Sequence, residues 1–359
     1  MRAHESTKFG VEGPNYPWEA IHDTALLAEK NGFDSYWMPD HLVATGVRRW
    51  DALEAWSTLC ALAVKTKKIK LASGVSDTFR CHPAALAQRA ATCDILSNGR
   101  AILGIGIGEA MNLLPFGIAY DKPVGRTIEA IKIIRRLWSE DFVDFQGKYF
   151  TLKKAFLQPK PSVPISETKY RPTVPIFIAA SSPRTLKVVA RYGDGWLPAN
   201  LTPKEYKDDL EKIRETARDH GRNPSAIEPA HFMYVVIAKD ADTAKKAMML
   251  SGKMMLLSRP RILEKIGFQP PTHDFEMTFK LVFPRDAESW LAKSRELPDE
   301  VVEKSPFLYG APDDIIDKLD KFTEAGCRHF VINFQVSPKI LKETCHLFAG
   351  KVIPYFKAK

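Results

Sequence analysis

The chain has 359 residues, of which 45% are hydrophobic, 26% charged and 10% aromatic, a composition that excludes intrinsic disorder and supplies material for a large core. With 20 glycines and 25 prolines it is neither collagen-like nor of low complexity. Lys and Arg number 52 against 43 Asp and Glu, for a net +9 at pH 7, which favours anionic partners.

The basic residues are spread out, with no run of five and no nucleic-acid motif, so an anionic small molecule fits at least as well as a nucleic acid. No apolar run approaches the roughly 18 residues of a membrane span. The opening MRAHESTKFG lacks the apolar segment of a signal peptide, so a cytoplasmic protein is expected. Cys60, Cys81, Cys93, Cys327 and Cys345 are odd in number and never form CxxC. That argues against a disulfide framework or a metal site, and for reduced, mostly buried thiols.

Lys8 to Glu12 reads as a strand, followed by a helix over roughly 18–31 with Ala20, Ile21, Ala25, Leu26 and Ala28 at helical spacing. Gly32 is placed to end it. A second strand covers 35–38 and a second helix about 52–64; a third strand covers 69–72, and Pro83 opens a third helix. Residues 100–105 make a fourth strand, with a helix over about 127–138. Further strands are expected at 174–180, 195–197, 232–237 and 328–333, with helices from Pro183, over 203–220 and up to Phe356. Eight strands alternating with helices predict an α/β fold, a (β/α)8 TIM barrel in one domain over 1–359. A doubly wound open sheet is the alternative. Two stretches break the alternation: 140–170 looks like a hairpin insertion, and 257–306, with Pro260, Pro270, Pro271, Pro284 and Pro306, an irregular or helical one.

In such a barrel, chemistry sits where strands end and the following loops begin. Glu12 stands after the first strand, Asp40 and His41 after the second, and Gly74-Val75-Ser76-Asp77 after the third. The fourth runs into Gly106-Ile107-Gly108-Glu109-Ala110-Met111-Asn112, the fifth into Ser181-Ser182-Pro183-Arg184-Thr185. Carboxyl groups and an Asp-His pair converging on one end suit acid–base work beside a bound cofactor. Each also has a plainer role: Asp40 and His41 as helix caps or surface hydrogen-bonders, Glu109 as an ion-pair partner of Arg80, and the Ser181-Ser182 pair as an N-cap serine. The GIGIG run lacks the third glycine of a dinucleotide fingerprint and reads instead as close backbone approach to a ligand. Free N–H groups at the Pro183 helix start favour a phosphate.

Together these residues resemble the deazaflavin-dependent branch of the luciferase-like monooxygenase superfamily. The resemblance runs from Lys8 to about Lys357 and is strongest in KFGVEGPN (8–15), GFDSYWMPDH (32–41), SNGRAILGIGIGEAMN (97–112) and IFIAASSPRTLKVVARYGDGW (176–196). It implies a (β/α)8 barrel that binds coenzyme F420 and exchanges a hydride at its C5, in preference to a flavin monooxygenase. Asp40, Gly74, Val75, Ser76, Ile107, Gly108, Asn112, Ser181, Ser182, Arg184 and Thr185 match positions that contact the coenzyme, with a non-prolyl cis peptide at Gly74–Val75. A homodimer is implied, and no metal.

The opening KFGVEGPN is similar to methylenetetrahydromethanopterin reductases, where the carboxyl at the position of Glu12 protonates the substrate nitrogen. NFQVSP after the last strand departs from their pattern. DSYW, GRAILGIG and KPV are shared with phthiodiolone ketoreductases, which implies a ketone or alcohol substrate, with His41 exchanging the hydroxyl proton, Asp40 orienting His41 and Glu109 as partner acid or base. Sugar-phosphate dehydrogenases of the branch are similar too, but WLPANLTP after Gly195 and Ser305 stand where their phosphate-binding residues would be. A non-catalytic coenzyme carrier would have little use for Glu12, Asp40, His41 and Glu109.

Overall fold

The computed structural model describes residues 7–358 apart from 48, 162, 167, 168, 172, 173 and 337. Its strands, in chain order, are β1 (Lys8–Glu12), β2 (Ser35–Met38), β3 (Lys70–Ser73), β4 (Ala101–Ile105), β5 (Val143–Gln146), β6 (Thr151–Ala155), β7 (Val163–Ser166), β8 (Lys169–Arg171), β9 (Ile176–Ile178), β10 (Gly195–Trp196), β11 (Glu228–Ile237), β12 (Leu308–Gly310) and β13 (His329–Phe334). Eight of them run parallel around a closed barrel in the order β1-β2-β3-β4-β9-β10-β11-β13. Pairing of Gly10 with Val331 and of Gly195 with Glu228 closes the ring. The expected eight-stranded (β/α)8 barrel is therefore the observed fold. The strands are continuously apolar because both faces are covered, by side chains inside and helices outside.

Local chemistry sets the helix ends much as the sequence suggests. Asn31 caps Trp18–Lys30 and Gly32 follows at φ +77°, a conformation only glycine adopts at little cost. Pro83 and Pro183 each open a helix where a missing N–H is harmless. The hairpin expected near 140–170 is β5–β6, with β7–β8 as a second one. Strand β12 was not anticipated: three residues in a proline-rich stretch give no periodicity, and it forms by pairing with the far end of β11. Nor was the helix Ala241–Leu257, which leads into the insertion. The insertion holds the helices Pro260–Lys265, Ala287–Glu296 and Glu300–Glu303. It has its own apolar cluster, including Leu263, Phe283, Trp290 and Val301, which packs onto Met111 and Val236 of the barrel.

Inside the barrel, Trp37, Ala72, Ile102, Phe177, Leu197, Ala230 and Val331 fill the cross-section. The N-terminal ends of the strands are sealed by buried polar contacts. The His329 ring sits 2.7 Å from Glu228 Oε1 on one side and 2.7 Å from Ser35 Oγ on the other. Trp37 Nε1 also donates to Ser35 Oγ, and Lys8 pairs with Glu228. Nearby, the Arg100 guanidinium donates to the carbonyls of Ala63, Thr66, Ile69 and Ser97 and to Thr66 Oγ1. It thereby satisfies the orphan carbonyls at the end of the helix Ala55–Lys65.

Two groups, the buried His231 and the partly buried Glu228, make stability depend on acid. Burial holds His231 neutral, with its pKa lowered from 6.5 to about 3. Burial alone would raise Glu228; the His329 bond, the His329 charge and Lys8 outweigh it and hold the carboxyl at about 2. The unfolded chain therefore binds protons that the fold refuses, at His231 below pH 6.5 and at Glu228 below about 4.5. Stability is present above those values and is lost as pH falls through them. Between pH 6.5 and 5 the His231 share is about 2 kcal/mol. Thermal unfolding followed from pH 7 to 4 should show a falling midpoint, and His231→Gln should flatten the drop above pH 5. An unchanged slope in that variant would refute the assignment.

Candidate active site

At the C-terminal ends of the strands lies a cavity of about 1080 Å³. Of the residues expected there, Glu12, Asp40, His41, Gly74, Val75, Ile107, Gly108, Glu109, Asn112, Ser181, Ser182 and Thr185 line it. Ser76 and Arg184 do not. Ser76 is 1% exposed and sits behind the wall, and Arg184 is exposed but not among the lining residues.

Glu12 ends β1. Its Oε2 accepts from Asn333 Nδ2, and Asn333 Oδ1 accepts from Gln335 Nε2. The other oxygen, Oε1, faces Gly74, 3.8 Å from where a Cβ would stand there. Burial raises the Glu12 pKa to about 8; the Asn333 bond works against that and the Glu109 charge adds to it. This carboxyl is thus a neutral acid at pH 7.

Asp40 and His41, adjacent in sequence, face different partners. Asp40 accepts from Ser76 Oγ and pairs with Arg80 Nη1 at 3.1 Å, while Trp56 Nε1 donates to Ser76 Oγ at 3.0 Å. Arg80 also pairs with Asp77. The carboxylates that hold Arg80 are therefore Asp40 and Asp77, and not Glu109. His41 turns instead to Glu109, its Nε2 3.5 Å from Oε2, and its buried Nδ1 has no partner among the described residues. Asp40 makes no hydrogen bond to His41 that would orient it. Asn112 Oδ1 accepts from Leu42 N at 2.8 Å, and its Nδ2 lies 3.4 Å from Glu109 Oε2, so it pins the loop that carries His41.

The peptide Gly74–Val75 is cis. Behind it the glycines of GIGIG divide their work. Gly104 lets β4 press on β3, since a Cβ there would meet Ser73 O at 2.0 Å, and Gly106 leaves room for Val75. Gly108, at φ +84°, turns the chain along the cavity. The close approach of the first glycine is therefore to the protein itself. Ser182 caps the helix Pro183–Tyr192 in a capping box with Thr185.

Three lining residues escaped the sequence reading. Asn333 and Tyr234 are polar residues paired in register on β13 and β11, and both line the cavity. The strand-end rule reaches Asn333, the last residue of the strand expected at 328–333, but not Tyr234, which lies within β11. Arg259 comes from the insertion, where no periodicity flags it.

The family description "Luciferase-like monooxygenase" matches residues 3–329. The chain belongs to the luciferase-like monooxygenase family. Within and around this family it is 29% identical, over 98% of its length and the whole of the relative, to 5,10-methylenetetrahydromethanopterin reductase of Archaeoglobus fulgidus. It is 31% identical to the phthiodiolone/phenolphthiodiolone dimycocerosates ketoreductase of Mycobacterium bovis, over 91% of this chain and 89% of that one. Among solved structures, an F420-dependent secondary alcohol dehydrogenase in complex with an F420–acetone adduct superposes with TM-score 0.79 at 26% identity. That match covers 97% of this chain and 98% of the other. Among the described residues no helix is long and apolar enough to cross a membrane, and no group of three His, Cys, Asp or Glu could hold a metal ion.

Proposed function

We propose that the protein is a coenzyme F420-dependent oxidoreductase that reduces a carbon–nitrogen centre, as in a methylene-pterin reductase. The observation that carries this reading is Glu12: a buried carboxylic acid, protonated at neutral pH, with one oxygen fixed by Asn333 and the other facing the cavity.

The residues present suit the coenzyme. The cavity has the volume for a bulky ligand, and two of its lining residues, Asn15 and His41, carry buried nitrogens that have no partner among the described residues. Gly74, Val75, Ile107 and Gly108 would hold the ring system, with Ser181 and the helix start at Ser182–Thr185 toward its anionic part. Asp40, Ser76 and Asn112 position that wall through Arg80, Trp56 and the loop at Leu42. Bound F420 supplies or accepts a hydride. Glu12 holds a proton on Oε1 and gives it to the substrate nitrogen, while Asn333 keeps the carboxyl from rotating. Val75 and Ile107 exclude water from the cavity floor.

Anaerobic mixing of the protein with reduced F420 and methylenetetrahydromethanopterin tests the reading. A rise in oxidised-deazaflavin absorbance is expected; no rise, with F420 binding established by fluorescence, would discard the pterin substrate. The His41–Glu109 pair favours a second reading, an alcohol or ketone oxidoreductase in which His41 exchanges the hydroxyl proton. There His41→Asn should lower turnover of a secondary alcohol by roughly 100-fold, with Glu12→Gln nearly silent. For a pterin reductase the order of damage is reversed.

A further inference from the structure

A row of polar side chains crosses the cavity from Glu12. Glu12 is bonded to Asn333 of β13, Asn333 is in register with Tyr234 of β11, and Tyr234 meets Arg259. The Arg259 guanidinium lies over the Tyr234 ring, 5.2 Å from its centroid, and its Nη2 donates to the Tyr234 hydroxyl at 2.8 Å. Nη1 donates to Met255 O at 2.9 Å and to Ser258 Oγ at 3.1 Å. Five contacts of this kind fix the side chain, the fifth being Met277 Sδ. None of them is a carboxylate, and Arg259 forms no ion pair among the described residues. Of the acids on the same cavity, Asp40 and Asp77 are held by Arg80, Glu109 faces His41 and Glu12 is bonded to Asn333, while Glu276 forms no ion pair among the described residues.

A rigid, half-buried cation with no counter-charge is costly unless a ligand supplies one. Around it the wall is made of Met254, Met255, Met277 and Phe279, which suit a flat or flexible apolar body. Two strand spacings, about 10 Å, separate β1 from β11.

We propose that Arg259, held by Tyr234, selects the substrate: it anchors a compact oxyanion, a carboxylate or a phosphate, on a molecule whose reacting end lies at Glu12. This rests on Glu12 marking the reacting end of the cavity. The apolar body between the two ends lies along the methionines. Arg259 acts in binding and takes no proton.

The test is calorimetric titration of the full-length protein, with and without saturating F420, using benzoate, phenyl phosphate and neutral benzyl alcohol as probes. The wild type is expected to bind one of the two anions at least tenfold more tightly than benzyl alcohol, and which one it prefers identifies the oxyanion. Arg259→Met should erase that preference while F420 affinity, read by fluorescence, stays within twofold. Arg259→Lys, which keeps the charge without the planar fork, should retain part of it, and remains informative if the methionine variant does not fold. With whichever substrate turns over, Arg259→Met should raise KM at least tenfold and leave kcat within threefold. No preference in the wild type overturns the proposal. So does a preference that survives in Arg259→Met, because the anion then sits elsewhere, as at the Pro183 helix start. Failure of F420 to bind would overturn the coenzyme reading alone, since the anion titrations are read without it.

Discussion

Glu12→Gln is expected to lower turnover by roughly 100-fold or more while leaving F420 affinity unchanged. Glutamine keeps the shape and the bond to Asn333 but has no proton to give. The pH profile carries a second signature. A donor must be protonated, and with its pKa at about 8 the wild-type rate should be level below that value and fall tenfold per unit above it. The glutamine variant should lack this limb. Because the Asn333 bond pulls the Glu12 pKa down, Asn333→Ala should move the limb to higher pH. Near-normal turnover in Glu12→Gln, or a limb that ignores Asn333, would remove Glu12 from the chemistry.

Gly104→Ala should be the most damaging single methyl group in the barrel. The new Cβ would lie 2.0 Å from the Ser73 carbonyl oxygen and 3.0 Å from Val75. The first of these is backbone, so relief requires β3 and β4 to separate, against the pairs Leu71–Ala101 and Ala72–Ile102. Overpacking of this kind is expected to cost about 3 kcal/mol or more, a fall of roughly 5 °C or more in the thermal midpoint. Since β3 leads directly into Gly74–Val75 on the cavity floor, F420 affinity should fall as well. Gly117→Ala is the control: its φ is +72° but nothing lies within 4 Å, so it should lose only about 1 kcal/mol. Equal midpoints for the two variants would mean that the barrel relieves the clash at Gly104 for no more than the strain of a positive φ costs at Gly117.

The barrel was legible because buried parallel strands are apolar runs of a length the eye can find, and their order fixes which loops share an end. β12 was not: it is three residues long and exists by virtue of its partner. At the site, Glu12, Asp40, His41 and Glu109 could be located by their position after strands. Their pairing could not. In the irregular loop after β2 the two side chains diverge, Asp40 to Ser76 and Arg80 and His41 to Glu109, and no sequence periodicity foretells such a parting. Arg259 was invisible for another reason: the insertion that carries it is held by long-range apolar packing, which leaves no local pattern in the sequence.

At the sealed end of the barrel, Ser35, His329 and Glu228 are wired hydroxyl to imidazole to carboxylate, as hydrolases wire a nucleophile. Ser35 is 0% exposed and its oxygen already receives the Trp37 N–H. No acyl group can approach it. The same three functional groups that elsewhere open an ester here act as a clasp between three strand beginnings, and a fluorophosphonate probe should leave Ser35 unlabelled.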